Sequence, residues 1–278
     1  MKPNVYHQVE NSTYSLFSTY YYTDRSQYAD KLHFHKNYEI INVIKGYCTV
    51  NYKNTDITLN IGEAIFIEPF ASHGISLSTG AEVRSTVFQK NLIYSLSNYI
   101  ENYRAPNPVF HPNATVSDYY NTELARCFGY DESVNDQLPA DKTVIVKGCL
   151  YAMGGEFMRL VELVPTEKYS ENVIQEVIDR ISKNYLSDIS LKELAHELGY
   201  SYHYVSRLFN NTMGISFKFL LNLYRSEHAA ALLEDTDMPI GEIAFKSGFQ
   251  NIKSFNTNCK LIYGKTPREI RKKAGSIM

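Results

Sequence analysis

The stretch HFHKNYE places His33, His35 and Glu39 close together, and His73 lies further along the chain. Imidazoles and a carboxylate in such a set can ligate a transition metal, move protons, or hold a polar molecule through hydrogen bonds. His33 and His35 are two apart, so on an extended strand they share one face, and Glu39 can join them at the end of a β-barrel. Side chains of this kind suit the metal centre of an enzyme and equally a pocket that only senses a ligand. The choice rests on the elements that position them and on what else the chain carries.

Those elements read as β from about residue 13 to 89. Short runs rich in Tyr, Val, Ile, Thr and Phe, such as YEIINVI, YCTVNY, DITLN and EAIFIEP, are separated by KG, KN, IG and STG turns, the pattern of a sandwich or barrel. Tyrosine joins a flat apolar face to a hydroxyl and so suits sugars; Tyr20, Tyr22 and Tyr38 are placed to contribute. Helices are expected at roughly 90–103, 117–129 and 141–163, the last with apolar spacing through Val144, Leu150, Phe157 and Leu160. This last helix suits either pairing with a second copy or packing on the barrel. The segment YRAPNPVFHPNA reads as a proline-broken loop. From Ser170 onward the chain reads as helices joined by short turns. The expected fold is therefore α+β with two domains: a β-barrel with following helices at 1–164, a linker at 165–170, and an all-α domain at 171–278.

A chain of 278 residues is long for one core and sufficient for two. Its 44% hydrophobic and 21% charged residues argue against a largely disordered chain. No apolar run approaches the roughly 20 residues a membrane helix needs. The start, MKPNVYHQVE, lacks the apolar centre of a signal peptide, so the expected address is the cytoplasm, with no membrane partner. Cys48, Cys127, Cys149 and Cys259 form no CxxC pair and read as free, mostly buried thiols. The net charge of −2 hides an asymmetry: residues 1–164 hold 13 Lys or Arg against 17 Asp or Glu, whereas residues 240–278 carry 8 basic and 2 acidic side chains. That end has the field to attract a polyanion.

An internal repeat occupies the second half. LAHELGYSYHYVSRLFNNTMGISF at 194–217 matches IAFKSGFQNIKSFNTNCKLIYGKTP at 243–267, pairing Ala195 with Ala244, Gly199 with Gly248, Tyr200 with Phe249, Val205 with Phe255, and Gly214 with Gly264. In the first copy Ala195 falls where one helix must touch another closely, and Gly199 where a sharp turn favours positive φ. Ser201 is placed to cap the next helix, whose apolar face is supplied by Val205 and Leu208. This is a helix-turn-helix, used twice and joined by one long helix, FKFLLNLYRSEHAAALLED. Such a pair suits two recognition helices reaching the major groove of double-stranded DNA about a turn apart. The side chains expected to read it are Tyr202, His203, Ser206 and Arg207 in copy one, and Gln250, Asn251, Lys253, Asn256 and Thr257 in copy two. Lys260, Lys265 and Arg268 are expected to meet phosphate or solvent.

Residues 171–273 resemble the DNA-binding domain of the AraC/XylS family of transcription regulators. The resemblance is carried by LKELAHELGYSYHYVSRLFN, by YRSEHAAALLEDTDMPIGEIA with Arg225, Leu232 and Leu233, and by SGFQNIKSFNTNCKLIYGKTPREIR with Gly264, Thr266, Pro267 and Arg271. Thr257 stands where the family usually has Arg, and Cys259 where it has a second Phe. The spacing of His33, His35, Glu39 and Gly46, followed by Gly62 and His73, resembles the cupin barrel over roughly 25–90, with Glu68, Phe70 and Leu77 departing from its second motif. This resemblance implies that His33, His35, Glu39 and His73 match the positions with which metal-binding cupins hold Zn, Mn or Fe; taken alone it points to a metal-dependent isomerase or dioxygenase. Attached to a regulator's DNA-binding domain, the barrel is similar to effector-binding sensor domains, most of which hold a small polar molecule without metal. The expectation is a non-enzymatic, sequence-specific regulator without a cofactor, acting as a homodimer on double-stranded DNA with the transcription machinery. Its effector, a sugar or related polar metabolite, would meet His33, His35, Glu39, His73, Tyr20, Tyr22 and Tyr38. Metal ligation, and histidines satisfied by backbone partners, remain alternatives for the same four residues.

Overall fold

The computed structural model describes residues 5–7, 17–23, 32–100, 102–129, 133–135, 139–165 and 170–274. The chain divides into two compact units, one of His7–Lys168 and one of Tyr169–Met278 with which Met1–Tyr6 is grouped. Of the expected linker, residues 166–169 lie outside the described residues, and Ser170 already opens a helix.

In chain order the strands are β1 (Val5–His7), β2 (Phe17–Thr23), β3 (Leu32–Phe34), β4 (Tyr38–Lys45), β5 (Tyr47–Tyr52), β6 (Thr55–Asn60), β7 (Ala64–Ile67), β8 (His73–Leu77), β9 (Glu82–Phe88), β10 (Tyr103–Arg104), β11 (Val109–Phe110), β12 (Ser133–Asn135) and β13 (Val164–Pro165). They form a five-stranded sheet, β1-β3-β8-β5-β6, a six-stranded sheet, β11-β7-β4-β9-β2-β12, and the pair β10-β13. The short turns follow their residues: Gly46 (φ 70°) reverses β4 into β5, and Lys53 and Asn54, both at positive φ, make the two-residue turn between β5 and β6. The proline-broken loop holds two short strands, β10 and β11, that its reading as a loop did not include; β11 is an edge strand on β7.

Strand alternation gives the six-stranded sheet two apolar faces. Ile41, Val43, Ile65, Ile67 and Val83 pack inward against Cys48, Val50 and Leu59 of the other sheet. Tyr38, Ile40, Phe66 and Phe88 face outward and are covered by helices α1 (Tyr94–Ile100), α2 (Ala114–Phe128) and α3 (Ala140–Leu160). On α3 the buried stripe runs through Val146, Cys149, Leu150, Met153 and Phe157. Val144 and Leu160, expected on that stripe, are exposed: Val144 lies two residues before Val146 and so off the three-four spacing, whereas Leu160 keeps the spacing but is the last residue of the helix. Phe157 stacks on Phe66 with ring centroids 4.5 Å apart, so the barrel's outer face supplies what this helix buries.

The second unit is all helix: α4 (Ser170–Asn184), α5 (Leu191–Glu197), α6 (Tyr202–Met213), α7 (Phe217–Asp235), α8 (Ile240–Lys246), α9 (Ile252–Tyr263) and α10 (Pro267–Ala274). The two repeats, α5–α6 and α8–α9, share their construction. Ala195 and Ala244 are fully buried at the close approach. Gly199 (φ 77°) and Gly248 (φ 83°) make the corners, and Gly214 and Gly264 close the second helices in the left-handed conformation. Ser201 caps α6 as expected, accepting a hydrogen bond from the Tyr204 amide. The apolar face of α6 uses Val205, Phe209 and Met213, and Leu208 is only half-buried.

The copies differ at their corners. A Cβ on Gly199 would meet nothing within 4 Å, whereas one on Gly248 would lie 2.8 Å from the Tyr185 carbonyl oxygen and 2.9 Å from Arg225 Nε. Arg225 is buried on α7, where it donates to the carbonyls of Tyr185 (2.7 Å) and Ser187 (2.8 Å) after α4. Both glycine-to-alanine changes carry roughly 1–2 kcal/mol of left-handed strain. Gly248→Ala adds overpacking of about 1–3 kcal/mol. Urea unfolding should therefore place the Gly248→Ala midpoint well below that of Gly199→Ala; equal midpoints would show that the Arg225 clamp does not limit this corner.

Glu227, two residues along α7, has its carboxyl pushed up to about 7 by burial. The folded state thus keeps a proton that the unfolded chain releases from the ordinary carboxylate range upward. Stability falls as pH rises through that window and levels off above about 7. Glu227→Gln should stabilise the protein at pH 8 by on the order of 1–2 kcal/mol, allowing for partial exposure, and much less at pH 4. Thermal melts at the two pH values test this, and a gain of equal size at both would refute it.

Candidate functional site

Alternation along β4 decides which side chains enter the barrel. Tyr38 and Ile40 point outward, so Glu39, Ile41 and Val43 point inward. Glu39 is 2% exposed and lies across the interior from the other sheet, where His73 heads β8 and pairs in register with His33 of β3. His35 follows β3 directly. The ligand atoms of His33, His35, Glu39 and His73 all lie within 4.8 Å of one another.

Glu39 organises this cluster. Its Oε2 lies 2.7 Å from His73 Nε2 and 3.0 Å from His35 Nε2, and its Oε1 accepts the Ser85 hydroxyl at 2.5 Å. The far nitrogens are fixed as well: His35 Nδ1 lies 2.9 Å from the Asn37 carbonyl, and His73 Nδ1 lies 2.8 Å from that of Ala71. A carbonyl oxygen only accepts, so both Nδ1 atoms carry hydrogen and both Nε2 atoms turn toward the carboxylate. Burial pushes the Glu39 carboxyl up, but the charges and hydrogen bonds of His73 and His35 outweigh it and hold the group well below the usual carboxylate range. Donors that converge in this way satisfy a buried carboxylate, or hold its shape for a cation between carboxylate and imidazoles.

The preceding turn is strained. Phe70, which departs from the cupin motif, is buried at φ 64° and donates its amide to the His35 carbonyl at 2.7 Å. A bulky side chain in the left-handed region costs about 1–2 kcal/mol. Here that conformation leads the chain from β7 into Ala71 and His73.

Of the three tyrosines, Tyr20 and Tyr22 face the interior: Tyr20 pairs in register with Ser85, and the two rings stack at 6.0 Å. Tyr38 does not join them. It is next to Glu39 on one strand, so it faces the other way and packs between Phe66 and Phe88 beneath the helices. Ser85 went unrecognised in the sequence, because only the pairing of β9 with β2 and β4 brings it to Glu39. A separate cavity of about 440 Å³ lies beside α2, lined by Tyr21, Glu82, Arg84, His111, Asp118 and Asn121. It contains none of the residues of the His–Glu cluster.

In the helical unit, Tyr202, His203 and Arg207 are exposed along α6 and Ser206 is half-buried; Gln250, Asn251, Lys253, Asn256 and Thr257 are exposed at the start of α9. Asn251 differs from the expectation in one respect. Its Oδ1 is the N-cap of α9, accepting from the Ser254 amide at 2.8 Å, which commits part of its hydrogen-bonding capacity within the fold and leaves its NH₂ free to address another molecule. Among the described residues no helix is long and apolar enough to cross a membrane.

Comparison with known proteins agrees with both units. Residues 16–128 match the model of the AraC-like ligand binding domain, and residues 194–273 that of a helix-turn-helix domain. An uncharacterized HTH-type transcriptional regulator of Staphylococcus aureus is 32% identical over 120 residues, which make up 41% of this chain and 16% of that protein. The HTH-type transcriptional regulator YtdP of Bacillus subtilis is 33% identical over 107 residues, 38% of this chain and 14% of that protein. This chain thus spans only a small part of the length of the curated relatives it matches. Unsaturated fatty acid-bound ToxT from Vibrio cholerae shares the fold, with a TM-score of 0.54 at 17% identity over 94% of this chain and 95% of that one. The chain thus combines an AraC-like ligand-binding domain at 16–128 with a helix-turn-helix domain at 194–273, the arrangement of the AraC-type transcription regulators that it resembles.

Proposed function

We propose that the chain is a cytoplasmic, sequence-specific regulator that binds double-stranded DNA through α6 and α9 and is controlled by a small polar effector in the barrel. One observation carries the DNA reading: two helix-turn-helix units with matching caps and corners present exposed polar faces and are joined by the single 19-residue helix α7. A helix of that length spans about 28 Å, close to the roughly 34 Å that separates successive major-groove faces. On this reading Arg207 addresses guanine and Gln250 and Asn256 address adenine. The effector, with carbohydrate as the first class to examine, would contact Glu39, the histidines, Tyr20 and Tyr22. To regulate, it must favour one arrangement of the protein over another. Action as a homodimer with the transcription machinery completes the proposal. Full-length protein should select particular genomic fragments, and Arg207→Ala or Gln250→Ala should reduce preference for the selected duplex by about 5- to 100-fold while leaving weak binding to unrelated duplex unchanged. No sequence preference in the wild-type protein, with or without effectors, would sink the reading.

A second reading of the barrel, a divalent transition-metal site, is favoured by the fixed Nδ1 hydrogens. With Nδ1 of His35 and His73 held by backbone carbonyls, the Nε2 lone pairs of neutral rings would point at a common centre beside Glu39 and His33, a donor set suited to Zn, Mn or Fe. Thermal shifts against panels of sugars, fatty acids and divalent metals separate the readings. A ligand at a hundred times its Kd stabilises by about 2.7 kcal/mol. We expect a polar organic effector to raise Tm in the wild type and less so in Tyr20→Phe. Near-stoichiometric metal in purified protein, lost in His73→Ala, would assign the site to metal instead.

A further inference from the structure

Lys253, Thr257 and Asn251 are expected from the sequence to read bases, and in the fold all three line a groove. This groove, of about 460 Å³, lies between the start of α7 and the start of α9. Lys218 and Lys253 stand on it, one from the first turn of each helix, and both are exposed with no ion pair among the described residues. None of its lining residues is acidic.

Two helix N-termini therefore open into one cationic hollow. Ser216 and Asn251 cap the amides of Phe219 and Ser254, and the earlier amides of each first turn remain as donors. The floor supplies a separate indication of a ligand. Asn222 is 8% exposed, lines the groove, and makes no side-chain hydrogen bond among the described residues. Beside it Asn258, 9% exposed, uses its NH₂ on the Ser254 carbonyl. The Asn222 carboxamide is not sealed off but opens onto the groove, where a polar group of a ligand can meet it.

We propose that this groove holds one phosphodiester of the DNA backbone, with Lys218 and Lys253 as its cations and Asn222 as a neutral donor, and that Lys253 therefore positions the duplex and does not read a base. The assignment rests on the DNA-binding reading above. It leaves Gln250 and Asn256 as the base-reading side chains of the second copy, and it ties the linking helix α7 to the same strand that α9 follows.

The test uses full-length protein, the duplex selected from genomic fragments, and a scrambled duplex of equal composition, with affinities measured between 50 and 200 mM salt. Lys218→Gln and Lys253→Gln should each weaken both duplexes by the same factor, about three- to tenfold, and reduce the slope of log affinity against log salt by about one. Asn222→Leu should weaken both duplexes equally without changing that slope. Lys218 is exposed, so its variant keeps the test valid if Asn222→Leu folds poorly. If the wild type binds but Lys218→Gln leaves affinity and slope unchanged, or Lys253→Gln alters the preference between duplexes, the groove is not a phosphate site and the DNA reading survives. Absence of salt-sensitive binding by the wild type would overturn both.

Discussion

A carboxylate inside a β-barrel must be met by donors on every side, and Glu39 imposes that requirement on its surroundings. The period-two geometry of β4 sends it inward with Ile41 and Val43. It can stay ionised there only because His35, His73 and Ser85 converge on its two oxygens. Each of those side chains is constrained in turn. The histidines are held by backbone carbonyls at their far nitrogens, His33 pairs with His73 across strands, and the left-handed Phe70 ties the turn before β8 to the His35 carbonyl. Two sheets and the turn between β7 and β8 are thus fixed around one charge.

The helical unit depends on backbone conformation more than on charge. Four glycines in the left-handed region and two fully buried alanines fix the corners and ends of both repeats. The long helix α7 then carries Arg225 to the carbonyls that follow α4 and under the corner at Gly248. One side chain therefore connects α4, the linking helix and the second repeat. The first repeat has no equivalent constraint at Gly199, so two copies of one pattern are held with different stringency.

Much of this was legible in residue types and spacing. The repeat, its glycines, the Ser201 cap and the bounds of the linking helix follow from short-range rules that act within a few residues. So does the shared placement of His33 and His35. What escaped depends on pairing between distant segments. Ser85 reaches Glu39 only through the register of β9, and Tyr38 looked like a pocket tyrosine until alternation along β4 put it on the opposite face from its neighbour. Val144 and Leu160 are apolar, yet the sheet meets the stripe through Val146 and Phe157 instead. Asn251 was chosen for its hydrogen-bonding capacity, part of which the N-cap of α9 already uses.

The charge pattern gains meaning from the same placement. Residues 240–278 carry eight basic and two acidic side chains, but a basic segment by itself attracts any polyanion. Glu242 pairs with Lys246 on the surface of α8, and Glu269 is engaged by Thr266 at the start of α10, so both acids of the segment have partners of their own. Lys253 keeps its charge unpaired among the described residues, and the fold places it opposite Lys218, a residue from outside the basic segment that composition would not select. Glu242 is thus matched by a cation and Glu269 is bonded within its own turn, while the meeting of α7 and α9 turns a diffuse excess of charge into a localised one.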